Sequence, residues 1–556
     1  MTHQRDDVVR GDLPYRLRIG VFGEGTPSDP AALSAVIRGT VDRALPALFD
    51  PASRRSMREV ETVVACGILT TLAGAAEREI VRTILAMPGA RIEVVVPEDP
   101  QRYLSRFPAG PDRDDVEGLL AQVRRPTILE TGAPAVERGP VPFSAGERRR
   151  LAHHVVDHCD LLIAPVSADD PEGAGNPAVR RAAERGRPCV LIPVADSSGV
   201  ITRPGHGLNA GAIRRLDFYN RIPVEREALE RYVENVDSDV FGTATGRRIA
   251  PDARATVRRV LLPHYARASL LAKRSQRHYR DAGRAAWFLF PLAAAAAAVA
   301  ALSPAWRLGA VVVEVVALGA ILVVVSHAHH ARCHELWVEG RYLAERLRAA
   351  VYLAACGIEV TPPRVLAHMG EPEQRDEWMT MAFGEIWSRM PALPAGPEGG
   401  LEDVVAFVRQ NWLQDQIRFH ERKSARCERL SRALERGGNM MFGLALIAAI
   451  AHLVVHSMPG ARGGGHVLAG VFGFLAIVLP GLGAAMGGFR AHREYSRLAK
   501  RSRCMARELR DLDGELAEVE TPETLAAALR TAEEFMVQET QDWLMLMRAA
   551  PLKQPG

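Results

Sequence analysis

Several common signatures are missing from this chain. Its 556 residues hold only seven cysteines, an odd number without short paired spacings, so a disulfide framework is excluded. Cys66, Cys159 and Cys189 fall in apolar, strand-like runs and read as small core residues of a reducing compartment. The opening M-T-H-Q-R-D-D-V-V-R has no apolar stretch. No secretory signal peptide is therefore expected, and the first domain is expected in the cytoplasm. Charge of one sign is also lacking. Seventy basic and 66 acidic side chains leave a net +4, too weak a balance to argue for nucleic acid as a partner. There is no phosphate-cradling P-loop with its lysine, no dinucleotide-fingerprint spacing and no Ser/His/Asp order. Catalysis is the weaker reading, with no catalytic residue and no cofactor expected.

What the sequence does have is an uneven distribution of apolar residues. The first 200 residues have the composition of a soluble domain, and four later blocks carry the apolar excess: 285–302, 308–325, 440–455 and 467–485. Each is close to the roughly 17–20 residues that cross hydrocarbon. The first two are separated only by S-P-A-W-R, where Ser303, Pro304 and Trp306 form a tight turn with an interfacial aromatic; the second two are separated by a glycine-rich stretch. Two membrane hairpins are predicted. Arginine and lysine cluster before and after each hairpin, whereas the tips carry only Arg307 and Arg462. The positive-inside rule then places the long segments and both termini in the cytoplasm, as in a multi-pass protein of the inner membrane. The same clusters suit anionic head groups of a lipid bilayer. Glu314 lies inside the second block, where facing lipid is costly, so it is predicted at a helix interface or water path. Four thin, Ala- and Gly-rich spans enclose little alone, which implies a homo-oligomer.

The two hairpins read as copies of one unit, each with a basic helix leading in and a Glu/Arg-rich helix leading out. The first exit is C-H-E-L-W-V-E-G-R-Y-L-A-E-R-L-R, from Cys333 to Arg348, in which Arg341 and Glu345 stand four apart. The second exit is H-R-E-Y-S-R-L-A-K-R-S-R, from His492 to Arg503. The second entrance is W-L-Q-D-Q-I-R-F-H-E-R-K, from Trp412 to Lys423, with Gln416 and His420 four apart. Residue by residue, these positions read as a solvated or packed coiled-coil face. The hairpin layout with the motifs W-V-E-G-R-Y-L-A-E-R-L-R and D-Q-I-R-F-H resembles the SLATT family over residues 255–550. These are two-transmembrane modules found with nucleotide-sensing partners in bacterial conflict systems. The resemblance implies pore formation or membrane disruption in bacterial defence or stress response.

Before the membrane region, strands alternate with helices, the pattern of an α/β fold with a mostly parallel sheet. Apolar runs lie at 17–22, Thr62–Cys66, Ile92–Val96, Leu161–Val166 and Cys189–Val194, with helical segments near Pro30–Leu45, Leu72–Leu85 and Arg148–Asp157. The turn I-G-V-F-G-E-G ends the first strand, and the helix after it is expected to offer N–H donors to an anion. Ligands in such sheets sit at the carboxyl ends of the strands. The ligand-binding candidates there are Gly20, Gly23, Glu24, Gly25, Thr26, Gly74, Glu77, Ser167, Asp169, Gly173, Gly175 and Asn176. Glu77 and Glu79 also read as a solvated pair on a helix.

Together, I-G-V-F-G-E-G, L-A-G-A-A-E-R-E-I-V with R-I-E-V-V-V-P, and V-V-D-H-C-D-L-L-I-A-P resemble a SLOG domain, a Rossmann-like nucleotide-sensing fold, over residues 15–195. The resemblance implies a nucleotide-like small-molecule ligand. Relatives often carry Gly-His-Arg, Gly-Ala-Asp and Trp-Asp-Gly at three strand ends; here Gly23-Glu24-Gly25, Gly74-Ala75-Ala76 and Pro165-Val166-Ser167 stand instead. Their Gly-Gly-Thr appears as Gly173-Ala174-Gly175-Asn176. Some relatives cleave the N-glycosidic bond of nucleotides through a PGGxGTxxE-type loop, which is absent.

The segment H-A-H-H-A-R-C-H-E at 327–335 places His330 and His334 on one helix face, compatible with zinc but more often a hydrogen-bonding belt at a membrane interface, and no metal site is assigned. The expected organisation is an α/β sensor domain (15–200), a connector (200–254), a first hairpin module (255–360), a linker (361–405) and a second module (406–550, with its second span at 467–489). The function expected is a membrane sensor-effector. The alternatives are a membrane-anchored nucleotide-processing enzyme and a scaffold without ligand.

Overall fold

The computed structural model describes residues 8–48, 60–123, 126–129, 143–194, 200–205, 211–360, 378–391, 400–457, 464–492 and 494–548. The chain forms two compact units, one of residues 10–223 with 370–385, the other of residues 1–9, 224–369 and 386–556.

The α/β unit is built on a seven-stranded sheet: β1 (Tyr15–Val21), β2 (Val64–Thr70), β3 (Arg91–Val96), β4 (Thr127–Ile128), β5 (Leu161–Val166), β6 (Cys189–Pro193) and β7 (Ile201–Arg203). Their order is β4-β3-β2-β1-β5-β6-β7, parallel throughout except for the antiparallel β7. The near-continuous apolar runs have this cause. Leu17, Ile19, Val21, Ile68, Leu162, Ile163, Val190 and Leu191 are all buried, as inner strands covered on both faces must be. Two helix pairs supply the cover: α1 (Pro30–Leu48) with α2 (Ala75–Leu85), and α3 (Ala145–Asp157) with α4 (Pro177–Glu184). The second strand runs four residues beyond the expected Thr62–Cys66, and α2 begins at Ala75 rather than Leu72, because Leu72 takes a left-handed φ of 64° in the intervening turn.

One helix of this unit comes from far along the chain. The segment expected as a linker contains the helix Trp378–Ser388, whose Trp378, Met379, Ala382 and Phe383 are buried. The Trp378 ring lies 4.8 Å from that of Tyr219. Glu385 receives two hydrogen bonds from Arg16, at 2.9 and 2.8 Å, and pairs with Arg91 at 3.2 Å.

The second unit is helical, apart from a two-residue antiparallel ladder joining Val8–Val9 to Val224–Glu225. Its long helices are α5 (Leu262–Leu302), α6 (Arg307–His330), α7 (Cys333–Ala355), α8 (Gln414–Ser457), α9 (Gly464–His492), α10 (Tyr495–Ala517) and α11 (Pro522–Arg548). The first and third expected spans are thus the ends of longer helices, while the second and fourth fill most of α6 and α9. The two hairpins share a backbone feature. Each exit helix, α7 and α10, starts after a non-glycine residue in the left-handed region, Arg332 and Glu494, both at φ 48°.

In the second repeat α8 and α10 form an antiparallel coiled pair. Glu421, Glu428 and Glu435 recur at seven-residue steps; the first two pair with Arg510 and Arg503 of α10, the latter at 3.0 Å, and Glu435 pairs with Arg490 of α9 at 3.0 Å. The buried seam of α8 uses small residues, Ser424, Cys427, Ser431 and Gly438, and the Ser424 hydroxyl donates to the Ala499 carbonyl at 2.9 Å.

Among the described residues four helices are long and apolar enough to cross a membrane. Their packing runs through glycine. A Cβ on Gly473, Gly481 or Gly488 of α9 would lie 3.7 Å from Leu302, 4.0 Å from Ala294 and 2.5 Å from Trp287 of α5, respectively. The steps of eight (481−473) and seven (488−481) match those on α5 (302−294 and 294−287), a sustained antiparallel register. Only 28, 17, 17 and 11% of the four apolar stretches are buried, and Phe288, Leu308, Val315, Leu446 and Val467 are exposed. Apolar surface of that extent is not left in water, so a bilayer covers it: the protein is a membrane protein.

Candidate functional site

The strand order reverses at β1, whose neighbours β2 and β5 carry the chain to opposite sides of it. The carboxyl ends there define the crevice in which doubly wound sheets hold ligands. Glycine lets three turns meet. A Cβ on Gly23 would stand 2.5 Å from the Pro165 carbonyl, and one on Gly74 would stand 2.5 Å from the Gly23 carbonyl. Asn176 joins them, donating to the Phe22 carbonyl at 3.2 Å while its own carbonyl caps α4 at the Ala178 amide, 2.9 Å away. Gly173 takes a φ of 65° beneath Val179. Gly20 is separate from this group. It lies within the sheet, where a Cβ would be 2.9 Å from Cys159 and Val155, and so it serves helix–strand packing.

Glu77 has a different role from a solvated helix residue. Its side chain is buried, the residue being 1% exposed. One carboxylate oxygen accepts from the Thr70 hydroxyl (2.7 Å) and from the Thr71 amide and hydroxyl (both 3.0 Å); the other accepts from the amides of Ala73 (2.9 Å) and Gly74 (3.2 Å). Burial raises its pKa above the usual carboxylate range, against the pull of the Thr70, Thr71 and Gly74 hydrogen bonds. The next residue holds the same turn by its carbonyls. Arg78, also buried, donates to Leu72 (3.3 Å) and Ala73 (3.2 Å) and pairs with Asp115 at 2.7 Å. Glu77 and Arg78 together clamp the turn from both sides.

The other amide clusters at these strand ends are filled in the same way. Asp29 caps α1, accepting from Ala31 and Ala32 at 2.9 and 3.1 Å. Asp170 accepts from Ala174 and Gly175 at 2.8 and 2.7 Å, closing the glycine-rich loop. The expectation that the helix after β1 offers its N–H groups to an anion is therefore corrected: the chain's own carboxylates occupy those donors. Asp29 and Asp170 were not among the predicted residues. Asp29 was findable, because Asp directly before Pro30 is a helix-start signal. Arg78 gave no signal, since its role depends on Asp112 and Asp115 arriving from another helix.

The rim that remains is polar and acceptor-rich. Glu24 is half-buried and pairs with Arg148 at 3.1 Å. Gly25, Thr26, Ser167, Asp169 and Gly175 are exposed, and the Ser167 hydroxyl accepts from the Asp169 amide at 3.3 Å.

In the membrane helices Glu314 is half-buried. His452 on α8 makes a 2.7 Å hydrogen bond through Nδ1 with the Ala469 carbonyl of α9, a contact not expected from the sequence. The expectation that His330 and His334 share a helix face is overturned, because the left-handed Arg332 separates α6 from α7. His330 Nδ1 bonds to the Ser326 carbonyl and His334 Nε2 to the Met547 carbonyl. Among the described residues no His, Cys, Asp and Glu group is arranged to hold a metal. Where α7 meets α5, His334 and Trp337 pack against Tyr279, and Trp337 meets Trp543 edge-on at 5.8 Å.

No curated protein and no solved structure matches the chain. Residues 409–543, which comprise the second hairpin with its entry and exit helices, match the family model described as SMODS and SLOG-associating 2TM effector domain 1.

Proposed function

We propose that the protein is a membrane sensor-effector of the inner membrane, with both termini in the cytoplasm, in which a SLOG-like α/β domain controls two SLATT-like hairpins that assemble and permeabilise the bilayer during bacterial defence. The observation that carries this reading is the uncovered apolar surface of four spans, one pair of which lies in the stretch matching a 2TM effector domain. Supporting it are the duplicated left-handed break at Arg332 and Glu494 and the glycine register between α5 and α9. Homo-oligomerisation follows from the same exposure, since lipid and further copies are the two surfaces that suit it.

The ligand in this proposal is a nucleotide-like molecule held at the rim by Glu24, Thr26, Ser167 and Asp169. With the helix-start amides after β1 taken by Asp29 and the loop amides by Glu77 and Asp170, recognition rests on sugar hydroxyls and base N–H groups rather than on an amide cradle for phosphate. Binding shifts the helices leading into the membrane between two arrangements.

The test is dye release from vesicles containing the full chain, set against Gly481→Leu/Gly488→Leu. The leucines occupy the α5–α9 contact, where Gly488 has no room beside Trp287. Release that nucleotides or nucleosides trigger in the native chain and that the double variant abolishes is the expected result. A native chain that leaves vesicles sealed in every oligomeric state and with every ligand tried would sink the reading.

A further inference from the structure

The helix leading into α8 winds wide as a π-turn at Val408–Leu413, a local change of pitch that aims side chains differently from an α-helix. It lies beside α7, the exit helix of the first repeat, with Tyr352 stacked on Trp412 at 5.2 Å and the Tyr352 hydroxyl donating to the Asn411 carbonyl at 2.9 Å. A cavity of about 30 Å³ lies here, lined by α7, α8, α10 and α11, enough for one or two water-sized occupants.

The chemistry of its lining is one-sided. Three buried nitrogens of lining residues meet no acceptor in the chain: Trp412 Nε1, His420 Nδ1 and Arg348 Nε. Trp412 is 1% exposed and His420 6%. An indole and a guanidinium are donors only, and an imidazole nitrogen donates in the matching tautomer. Arg341 and Arg346 line the same space. The carboxylates present are already engaged, Glu345 by Arg348 at 2.5 Å and Arg341 at 3.8 Å, and Glu539 by Arg501 at 3.2 Å. The Gln416 carbonyl accepts from Arg348 Nη2 at 2.9 Å. A water oxygen, with two lone pairs, could accept from at most two of these three donors. A spherical anion accepts from all of them.

We propose that this cavity is a binding site for a small monovalent inorganic anion of chloride's size, held by Trp412, His420 and Arg348. The electrostatics agree. Burial and the surrounding cations Lys423, Arg348, Arg341 and Arg501 push the His420 pKa down to about 3, the signature of a positive, water-poor environment. The site joins the exit helix of the first repeat to the entrance of the second, so occupancy tightens that joint by mass action.

The experiment uses the full chain in detergent. Sodium chloride is titrated against sodium gluconate at constant sodium, with the unfolding midpoint and tryptophan fluorescence followed together. Chloride, and not gluconate, is expected to raise the midpoint. Trp412→Phe, which keeps the ring and removes only the N–H, is expected to raise the half-effective chloride concentration by about tenfold. Trp306→Phe at the exposed hairpin tip is expected to leave it unchanged. Should Trp412→Phe not fold, bromide exchanged into the native chain and located by anomalous scattering decides the question. Equal midpoints in chloride and gluconate, an unchanged response in Trp412→Phe, or ordered water without bromide in the cavity overturns the proposal.

Discussion

Replacing Glu385 with alanine removes a buried carboxylate that pairs with both Arg16 and Arg91 on the α/β unit. The Glu385 side chain is 3% exposed and that of Arg16 is 13%, so water cannot substitute fully for the lost partner. Breaking a buried pair from one side costs about 3–5 kcal/mol, because the remaining charge stays desolvated. The low end applies here. Arg16 keeps the carbonyls of Cys66 (2.9 Å) and Gly89 (3.0 Å), and Arg91 is partly in water. At about 1.4 kcal/mol per tenfold, a loss of about 3 kcal/mol is about a hundredfold in the opening equilibrium. The assay is hydrogen exchange on the full chain. Amides of Tyr15–Val21 and Val64–Thr70 are expected to exchange about a hundredfold faster in Glu385→Ala, while those of α10 in the helical unit keep their native rates. Glu385→Gln, which retains an acceptor, is expected to fall between. Exchange in the two strands within about threefold of native would refute the reasoning, since it would mean that the helix at 378–388 contributes nothing to the unit it is buried in.

Two further outcomes follow from buried carboxylates. Glu77→Ala leaves the amides of Thr71, Ala73 and Gly74 without their acceptor and is expected to destabilise the α/β unit by about 3 kcal/mol, read by denaturant unfolding. Native stability combined with lost ligand binding would instead make Glu77 a ligand contact. Glu533 on α11, 5% exposed, has its pKa raised by burial to about 7 from the ordinary 4.5, with Arg346 opposing the shift. The folded state therefore holds this proton more tightly than the unfolded chain. Its contribution, on the order of 3 kcal/mol, is fully present below about pH 4.5 and is lost as pH rises through 7. The difference in unfolding midpoint between the native chain and Glu533→Gln should accordingly change between pH 5 and pH 8, and a constant difference would count against the assignment.

The sequence by itself determined the fold class, the four spans and their pairing, because each depends on a local signal. Val/Ile runs such as Leu161–Val166 are readable where a parallel strand is buried on both faces. A span is readable because hydrocarbon thickness sets a length that charged residues interrupt. The likeness of the two hairpins was legible in motif and charge, where their entry and exit helices read as coiled-coil faces. What only the tertiary structure decided is where polar groups point and what reaches them from a distance. Glu77 has the helical position of a solvated residue, and it is buried because the turn at 70–74 folds over it to satisfy its own amides. His330 and His334 have metal-ligand spacing, yet a single left-handed residue between them puts them on different helices. Glu385 lies 369 residues from Arg16 along the chain and 2.8 Å from it in space. No periodicity reports such a pairing, because nothing local depends on it. The cavity at Trp412 and His420 has the same origin, since it exists only where four helices meet.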